Sequence, residues 1–247
     1  MKVWLSYGFL ISAILLCSNA YAQERMGKAE KSFAKIGMKE GTRNVTVAND
    51  FGKKWKMRVN YPEHTKEANS LIIALHWAGG GDTFREFNDC LVVPGLEFLN
   101  PIIVSPEGEN QLWSSANNED KVLSVVTNAK KYWNVDSNKI AVVGYSNGGN
   151  GSWYFAEKYP GMFSAAIPMA SAYALTKKID IPVYVIHGQQ DELFDIARTE
   201  KWVNQTKEKG SEVIFKAADG LSHYEACAYI ELLKEAGEWL EQKWKEQ

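Results

Sequence analysis

Length, composition and charge place this chain among globular proteins and give no sign of a nucleic-acid partner. It has 247 residues, of which 45% are hydrophobic and 23% are charged. That composition fits one large α/β domain and differs from a disordered or fibrous chain. With a formal net charge of −2 at pH 7, nothing in the composition points to nucleic acid or to an anionic membrane surface as a partner.

The first 22 residues have the three parts of a cleavable signal peptide. Lys2 supplies a positive n-region, an apolar stretch runs from Val3 to Leu16, and Ala20 and Ala22 form an A-x-A site. The apolar stretch is short for a membrane span, although an uncleaved anchor is the alternative. We therefore predict cleavage after Ala22, a secreted or periplasmic protein, and no stable membrane insertion after signal removal.

The part of the chain after the signal is expected to begin with a linker. Residues 23–42 are polar and charged, and we interpret them as a linker or a loosely docked helix. The folded domain is then expected to span 43–247. Apolar and polar residues alternate at 44–47 and at 56–61, which predicts two half-buried antiparallel strands at its start.

The remainder of the domain alternates between apolar runs and helical patterns. The continuous apolar runs, typical of parallel strands covered on both faces, lie at 71–75, 101–104, 140–143 and 181–186, with a weaker run at 165–169. The helical patterns lie at 120–133, 153–159, 197–208 and 224–244. This alternation predicts an α/β fold with a mostly parallel sheet flanked by helices.

The motif that carries chemistry follows the apolar run at 140–143. It reads Gly144-Tyr145-Ser146-Asn147-Gly148, and a strand, G-x-S-x-G and a helix in that order are typical of a nucleophile elbow. The serine of such an elbow sits on a tight turn where side chains at the two glycine positions would collide with backbone. Ser146 is therefore the predicted nucleophile; the alternative is a serine that only caps the next helix.

A serine hydroxyl is a weak nucleophile that needs a base, and the expected chain order after the serine is an acid and then a histidine. His223 follows the predicted strand near 212–215 and is the predicted base. His187 ends a strand and is interpreted as a structural residue that fixes a loop. His64 lies too early in the chain to follow the serine.

The acid of such a triad is expected after the penultimate strand. Asp191 follows the run at 181–186 and is the predicted acid, where it would hold one imidazole tautomer. Glu192 and Asp195 are the alternatives.

Two backbone N–H groups are expected to stabilise an oxyanion. One is that of Asn147, directly after the serine. The other comes from the glycine-rich segment 76–81, where Ala78 is the predicted donor and Trp77 the alternative.

These segments together resemble the α/β-hydrolase superfamily over residues 45–247. Within it, the segments at 76–81, 144–148, 187–191 and 220–223 are similar to small serine esterases, which include phospholipase/carboxylesterases, polyhydroxybutyrate-depolymerase-like and feruloyl-esterase-like proteins and relatives of dienelactone hydrolases. The resemblance implies an eight-stranded, mostly parallel sheet, a Ser-His-Asp mechanism and no metal or organic cofactor. Two departures stand out. Trp77 occupies a position where many relatives have glycine, and dienelactone hydrolases proper use cysteine where this chain has Ser146.

The predicted function is hydrolysis of carboxylic esters by an exported serine esterase. The segment between Met169 and Ile181 is short, so we expect no large lid over the site. An open site would suit a small-molecule or polysaccharide ester, such as acetyl or feruloyl groups. Trp77 and Trp113 are predicted to contact substrate, although ordinary packing is an equal alternative for Trp113. The other functions considered are a serine peptidase of the same fold and a non-catalytic binding protein.

Cys90 and Cys227 are the cysteines outside the signal. In an oxidising compartment they could be bridged or remain two buried thiols, and neither has the spacing of a metal ligand.

Overall fold

The structure is a computed structural model that describes residues 27–63, 67–175 and 177–246. The predicted signal peptide and His64 lie outside these residues. Eight strands form one sheet in the order β1-β2-β4-β3-β5-β6-β7-β8. Their bounds are β1 Gly41–Ala48, β2 Lys54–Tyr61, β3 Asn69–Leu75, β4 Ile102–Pro106, β5 Val135–Tyr145, β6 Ala165–Met169, β7 Val183–Gly188 and β8 Val213–Ala218.

The strand directions follow the patterns read from the sequence. Strand β1 pairs antiparallel with β2, and β2 pairs antiparallel with β4. The pairs from β4 through β3, β5, β6 and β7 to β8 are all parallel. The predicted α/β fold with an eight-stranded, mostly parallel sheet is therefore confirmed.

Helices cover both faces of this sheet. They are α1 Lys28–Phe33, α2 Thr83–Phe87, α3 Val93–Leu96, α4 Ala116–Tyr132, α5 Asn147–Lys158, α6 Ile196–Glu208 and α7 Ile230–Lys245, with a short 3₁₀ helix at Ala226–Tyr229. Two separate apolar clusters fill the space between helices and sheet, one on each face. In the described part of the chain, no helix is long and apolar enough to cross a membrane.

The segment interpreted as a linker contains a helix that packs on the domain. Phe33 of α1 is buried, and its ring lies 6.4 Å from the Trp55 ring and 5.7 Å from the Trp133 ring. The backbone from Lys28 onward is therefore anchored on the sheet, and the first strand begins at Gly41, two residues before the expected boundary.

A helical run between β3 and β4 was not predicted from the sequence. It starts as α2, continues through a π-helical turn at Asn88–Val92 into α3, and ends in a 3₁₀ turn at Glu97–Leu99. Because the backbone changes its helical period within this run, its apolar residues do not follow a steady 3.6-residue repeat. The run packs on α7, where a Cβ added to Gly95 would lie 2.8 Å from the Leu233 side chain.

Candidate active site

Ser146 occupies a sharp turn between β5 and α5. Its backbone has φ 57° and ψ −117°, a positive φ that is uncommon for a residue with a side chain. The turn is held at both sides, since the Ser146 N–H donates to the Met169 carbonyl at 3.0 Å and its carbonyl accepts from the Asn150 N–H at 2.9 Å. The local sequence thus folds into the elbow geometry at the carboxyl end of the sheet.

The two glycines of the motif allow that turn to pack against the sheet. A Cβ on Gly144 would lie 2.1 Å from the Gly148 carbonyl oxygen, and a Cβ on Gly148 would lie 1.7 Å from the Leu75 carbonyl oxygen. Both neighbours are backbone atoms, which could move aside only by distorting the turn or the strand. Only glycine fits at either position.

The structure brings the three predicted triad side chains into one hydrogen-bonded row. His223 Nε2 lies 2.9 Å from Ser146 Oγ, and His223 Nδ1 lies 2.8 Å from Asp191 Oδ2. Ser146 is 9% exposed and His223 is 6% exposed, so the row is reached from solvent at its serine end. A base adjacent to a hydroxyl and oriented by a carboxylate is the arrangement that activates a serine nucleophile.

The Asp191 carboxylate is held in place by its own loop. Its Oδ1 accepts the backbone N–H groups of Leu193 at 2.9 Å and Phe194 at 2.7 Å. His187 Nε2 donates to the Phe194 carbonyl at 2.8 Å and lies 3.5 Å from Asp191 Oδ2. Burial lowers the pKa of His187, so this residue acts as a neutral support for the loop.

The two alternative acids have other partners. Glu192 Oε2 accepts the backbone N–H of His223 at 3.0 Å, so it holds the histidine loop and does not touch the imidazole. Asp195 is the N-cap of α6 and accepts the Ala197 N–H at 3.0 Å. Both carboxylates thus have structural contacts, and Asp191 is the one that reaches the ring.

The predicted oxyanion donors lie beside the serine. Asn147 is the first residue of α5, where a backbone N–H has no carbonyl partner within the helix. Ala78 lines the same cavity as Ser146. The helix N-terminus also directs the positive end of its dipole towards the serine.

His76 fixes the segment that carries Ala78, a role that was not predicted from the sequence. Its Nδ1–H donates to the Trp77 carbonyl at 2.6 Å, and its Nε2 accepts the Gly108 N–H at 2.9 Å. Burial lowers the pKa of His76 to about 4, so Nε2 stays unprotonated and free to accept. His76 directly follows the apolar run at 71–75, and this position at the end of a buried strand could have identified its structural role from the sequence.

Trp113 does not line the cavity, which corrects its predicted contact with substrate. It is 1% exposed, and its Nε1–H donates to the His76 carbonyl at 2.9 Å. The indole packs against the His76 ring, with the ring centroids 5.2 Å apart, and close to Gly151, where an added Cβ would lie 2.6 Å from Trp113 Cβ. Trp77, in contrast, is half-buried and does line the cavity.

The cavity at Ser146 has a volume of about 480 Å³. Its walls come from the segment 76–81, helix α2, the loop that follows Asp191 and the segment after His223. The lining residues are Trp77, Ala78, Glu86, Tyr145, Ser146, Leu193, His223, Tyr224, Glu225, Ala226, Cys227 and Ala228. Among the described residues, no cluster of three or more His, Cys, Asp or Glu side chains could hold a metal ion.

Cys90 and Cys227 form a disulfide, which decides between the two states left open by the sequence. Their Cα atoms are 5.3 Å apart, and the two residues are 137 positions apart in the chain. The bond joins the π-helical turn after α2 to the 3₁₀ helix that follows His223. It therefore ties together two walls of the cavity.

Both the sequence and the fold of this chain are similar to those of known proteins. Residues 104–238 match the dienelactone hydrolase family. Protein usf of Aquifex pyrophilus is 32% identical over 95 residues, which is 34% of this chain and 38% of that protein. The crystal structure of a thermostable esterase has a TM-score of 0.70 at 23% identity, covering 81% of this chain and 62% of that one. The chain thus spans less than two thirds of both of these relatives.

A second solved structure supports the same fold at lower identity. FphF, a fluorophosphonate-binding serine hydrolase of Staphylococcus aureus, has a TM-score of 0.67 at 12% identity, covering 81% of this chain and 98% of that one. At such identities the likeness concerns the fold alone. Because the family match covers more than half of the sequence, the chain belongs to the dienelactone hydrolase family, a family of hydrolases with the α/β-hydrolase fold.

Proposed function

We propose that this protein is a serine esterase that hydrolyses carboxylic esters through Ser146, His223 and Asp191. The observation that carries the proposal is the hydrogen-bonded row of these side chains at the edge of a solvent-facing cavity, with distances of 2.9 and 2.8 Å. The family name alone does not transfer a reaction, since a serine stands at the elbow where dienelactone hydrolases proper use cysteine.

The first half of the reaction forms an acyl-enzyme. Ser146 Oγ attacks the ester carbonyl carbon while its proton passes to His223 Nε2. The negative charge that develops on the carbonyl oxygen is stabilised by the N–H groups of Asn147 and Ala78. His223 then protonates the departing alcohol oxygen, and the C–O bond of the ester breaks.

The second half releases the acid. Water gives a proton to His223 and attacks the acyl carbon, after which Ser146 Oγ takes the proton back as the acid leaves. Asp191 holds the imidazole in the tautomer with hydrogen on Nδ1 and stabilises its charged form in both halves.

The shape of the site favours a small or surface-presented ester. The described residues between Met169 and Ile181 form no helix or strand, and the exposed side chains of Leu193 and Tyr224 lie in the cavity wall. The substrate classes that we propose are acetyl and feruloyl esters of polysaccharides. Export to the periplasm or medium is also proposed, and a disulfide at the active site suits such an oxidising compartment.

The test is hydrolysis of p-nitrophenyl acetate, p-nitrophenyl butyrate and methyl ferulate by the purified protein. Ser146→Ala is expected to lower kcat at least about a thousandfold and to abolish labelling by a fluorophosphonate probe. Ser124→Ala, on the half-buried face of α4 away from the cavity, is the matched control.

Full activity in Ser146→Ala would refute the proposal. Probe labelling without turnover of any ester would favour a peptidase, and no labelling at all would favour a binding protein.

A further inference from the structure

The cavity at Ser146 carries negative charge that the proposed mechanism does not use. Glu86 of α2 and Glu225 after His223 both line it, and both are exposed. No lysine or arginine is among the described residues of its wall. A substrate entering this cavity therefore meets two carboxylates and no opposing cation.

Both carboxylates remain available to a ligand. Within the residues that the structure describes, Glu86 forms no ion pair, whereas its neighbour Arg85 pairs with Asp82. Glu225 accepts the Ser222 N–H at 3.0 Å, and this hydrogen bond lowers the pKa of its carboxyl. Glu225 therefore stays ionised at neutral pH. The Ser222 hydroxyl also hydrogen-bonds to it, but an ionised carboxylate has about four acceptor sites, so it can still accept from a ligand.

Aromatic rings accompany these carboxylates in the cavity wall. Trp77 is held by edge contacts with the rings of Phe87 and Tyr145, at 5.7 and 6.3 Å. Tyr224 is 72% exposed and its ring contacts that of His223 at 5.9 Å. Aromatic rings attract cations through the negative charge of their faces, so the rings and the carboxylates favour the same kind of ligand.

We propose that this cavity selects esters by charge, preferring an ester that carries a quaternary ammonium or amine group and disfavouring an anionic one. The inference rests on the proposed function, since it concerns the substrate of the same site. A cation about 5 Å from one carboxylate in water gains about fourfold in affinity, and a ring contact adds about another two- to fivefold. Together these contacts are expected to raise kcat/KM for a cationic ester about tenfold above that for a neutral ester of the same shape.

The test compares two acetate esters of nearly the same shape. Acetylcholine carries a quaternary nitrogen where 3,3-dimethylbutyl acetate carries carbon, and each kcat/KM is divided by the ester's own rate of hydroxide-catalysed hydrolysis. The ratio of the corrected kcat/KM for acetylcholine to that for 3,3-dimethylbutyl acetate is expected to be about ten at low ionic strength. This ratio should fall as salt screens the carboxylates. The acetate ester of 4-hydroxybutanoate supplies the anionic case and should react more slowly than 3,3-dimethylbutyl acetate.

Variants then assign the preference to the carboxylates. Glu86→Gln should lower the ratio about threefold, and Glu225→Gln should lower it as well while keeping an oxygen that accepts from Ser222. The control is Glu97→Gln, which removes the same charge and should leave the ratio unchanged. Glu97 is exposed and lies before β4, near Asn100 and Pro101, at the amino end of that strand and away from the cavity.

The outcomes separate this inference from the proposed function. Hydrolysis of p-nitrophenyl acetate with a corrected ratio near one, or with a ratio that neither Glu86→Gln nor Glu225→Gln changes, would overturn the charge selection alone. A folded protein that hydrolyses no ester would overturn both.

Discussion

The hydroxyl of Tyr145 donates a hydrogen bond to the backbone carbonyl of His223 at 2.9 Å. Tyr145 directly precedes Ser146, so one bond links the elbow to the loop that carries the histidine. Both residues are buried, and the Tyr145 ring also contacts the Tyr229 ring at 5.1 Å. The distance between serine and imidazole therefore depends on a side chain that takes no part in the chemistry.

Removal of this hydroxyl should weaken both catalysis and folding. Tyr145→Phe is expected to lower kcat about three- to tenfold with little change in KM, because the histidine loop loses a support. The unpaired carbonyl should lower the free energy of unfolding by about 1 kcal/mol. Steady-state kinetics and thermal denaturation measure both effects.

Tyr184→Phe is the matched control for that variant. The Tyr184 hydroxyl donates to Glu235 at 2.7 Å on another part of the sheet, so a similar loss of stability should leave kcat unchanged. Equal kcat values in the two variants would contradict the role given to Tyr145.

The acid of the triad can be identified by neutral replacements. Asp191→Asn is expected to lower kcat about 10³- to 10⁴-fold, because an amide can stabilise the wrong imidazole tautomer and cannot stabilise its charge. Asp195→Asn should keep most of the activity, since Asp195 only caps α6 and its loss costs about 1 kcal/mol or less. Hydrolysis of p-nitrophenyl acetate measures kcat; the reverse order of effects would identify Asp195 as the acid.

The stability of the fold should fall in mild acid because of His76. Its pKa is lowered by burial from 6.5 to about 4, so the unfolded chain binds a proton more readily than the folded one. The contribution to stability is complete above about pH 6.5 and is lost as the pH falls towards 4, by about 3 kcal/mol at most. His187, whose pKa is also lowered by burial, acts in the same direction.

Urea denaturation from pH 7.5 to 4.5 measures this dependence. His76→Gln should be less stable than the original protein at pH 7.5 and should lose less further stability on acidification. A pH dependence identical to that of the original protein would show that His76 does not contribute.

The disulfide should contribute to stability through the long segment that it closes. Because Cys90 and Cys227 are 137 positions apart in the chain, loss of the bond is expected to lower the free energy of unfolding by about 5 kcal/mol and Tm by about 15 °C. The double variant Cys90→Ser/Cys227→Ser should show this lower Tm and should no longer respond to a reductant. An unchanged Tm on reduction of the original protein would contradict the prediction.

Much of the fold could be predicted because its determinants are local. Apolar runs buried on both faces identified the parallel strands, and the alternation at 44–47 and 56–61 identified the antiparallel pair at the edge. The elbow is also local, since Gly144, Ser146 and Gly148 share one turn. His223 and Asp191 were proposed from chain order relative to strands, and the sheet brings their side chains to the serine.

Other features depend on contacts between distant parts of the chain. The helical run after β3 lacks a steady period of its own and is held by packing on α7, so the sequence pattern did not identify it. The sequence around Trp113 looks the same whether its side chain packs in the core or lines a pocket. Only the folded structure, in which its Nε1–H donates to the His76 carbonyl, shows that it is buried beneath the site. The acidic wall of the cavity likewise brings together Glu86 and Glu225, which are far apart in the chain.

The sequence by itself determined the class of fold, the elbow and the set of residues from which a triad could be built, because each of these is encoded in short segments with a definite period or turn. The tertiary structure alone decided which carboxylate reaches the imidazole, that Cys90 and Cys227 are bonded, and which side chains line the cavity at Ser146. Those outcomes depend on distances of a few ångströms between separate loops, and such distances are set by the packing of the whole domain.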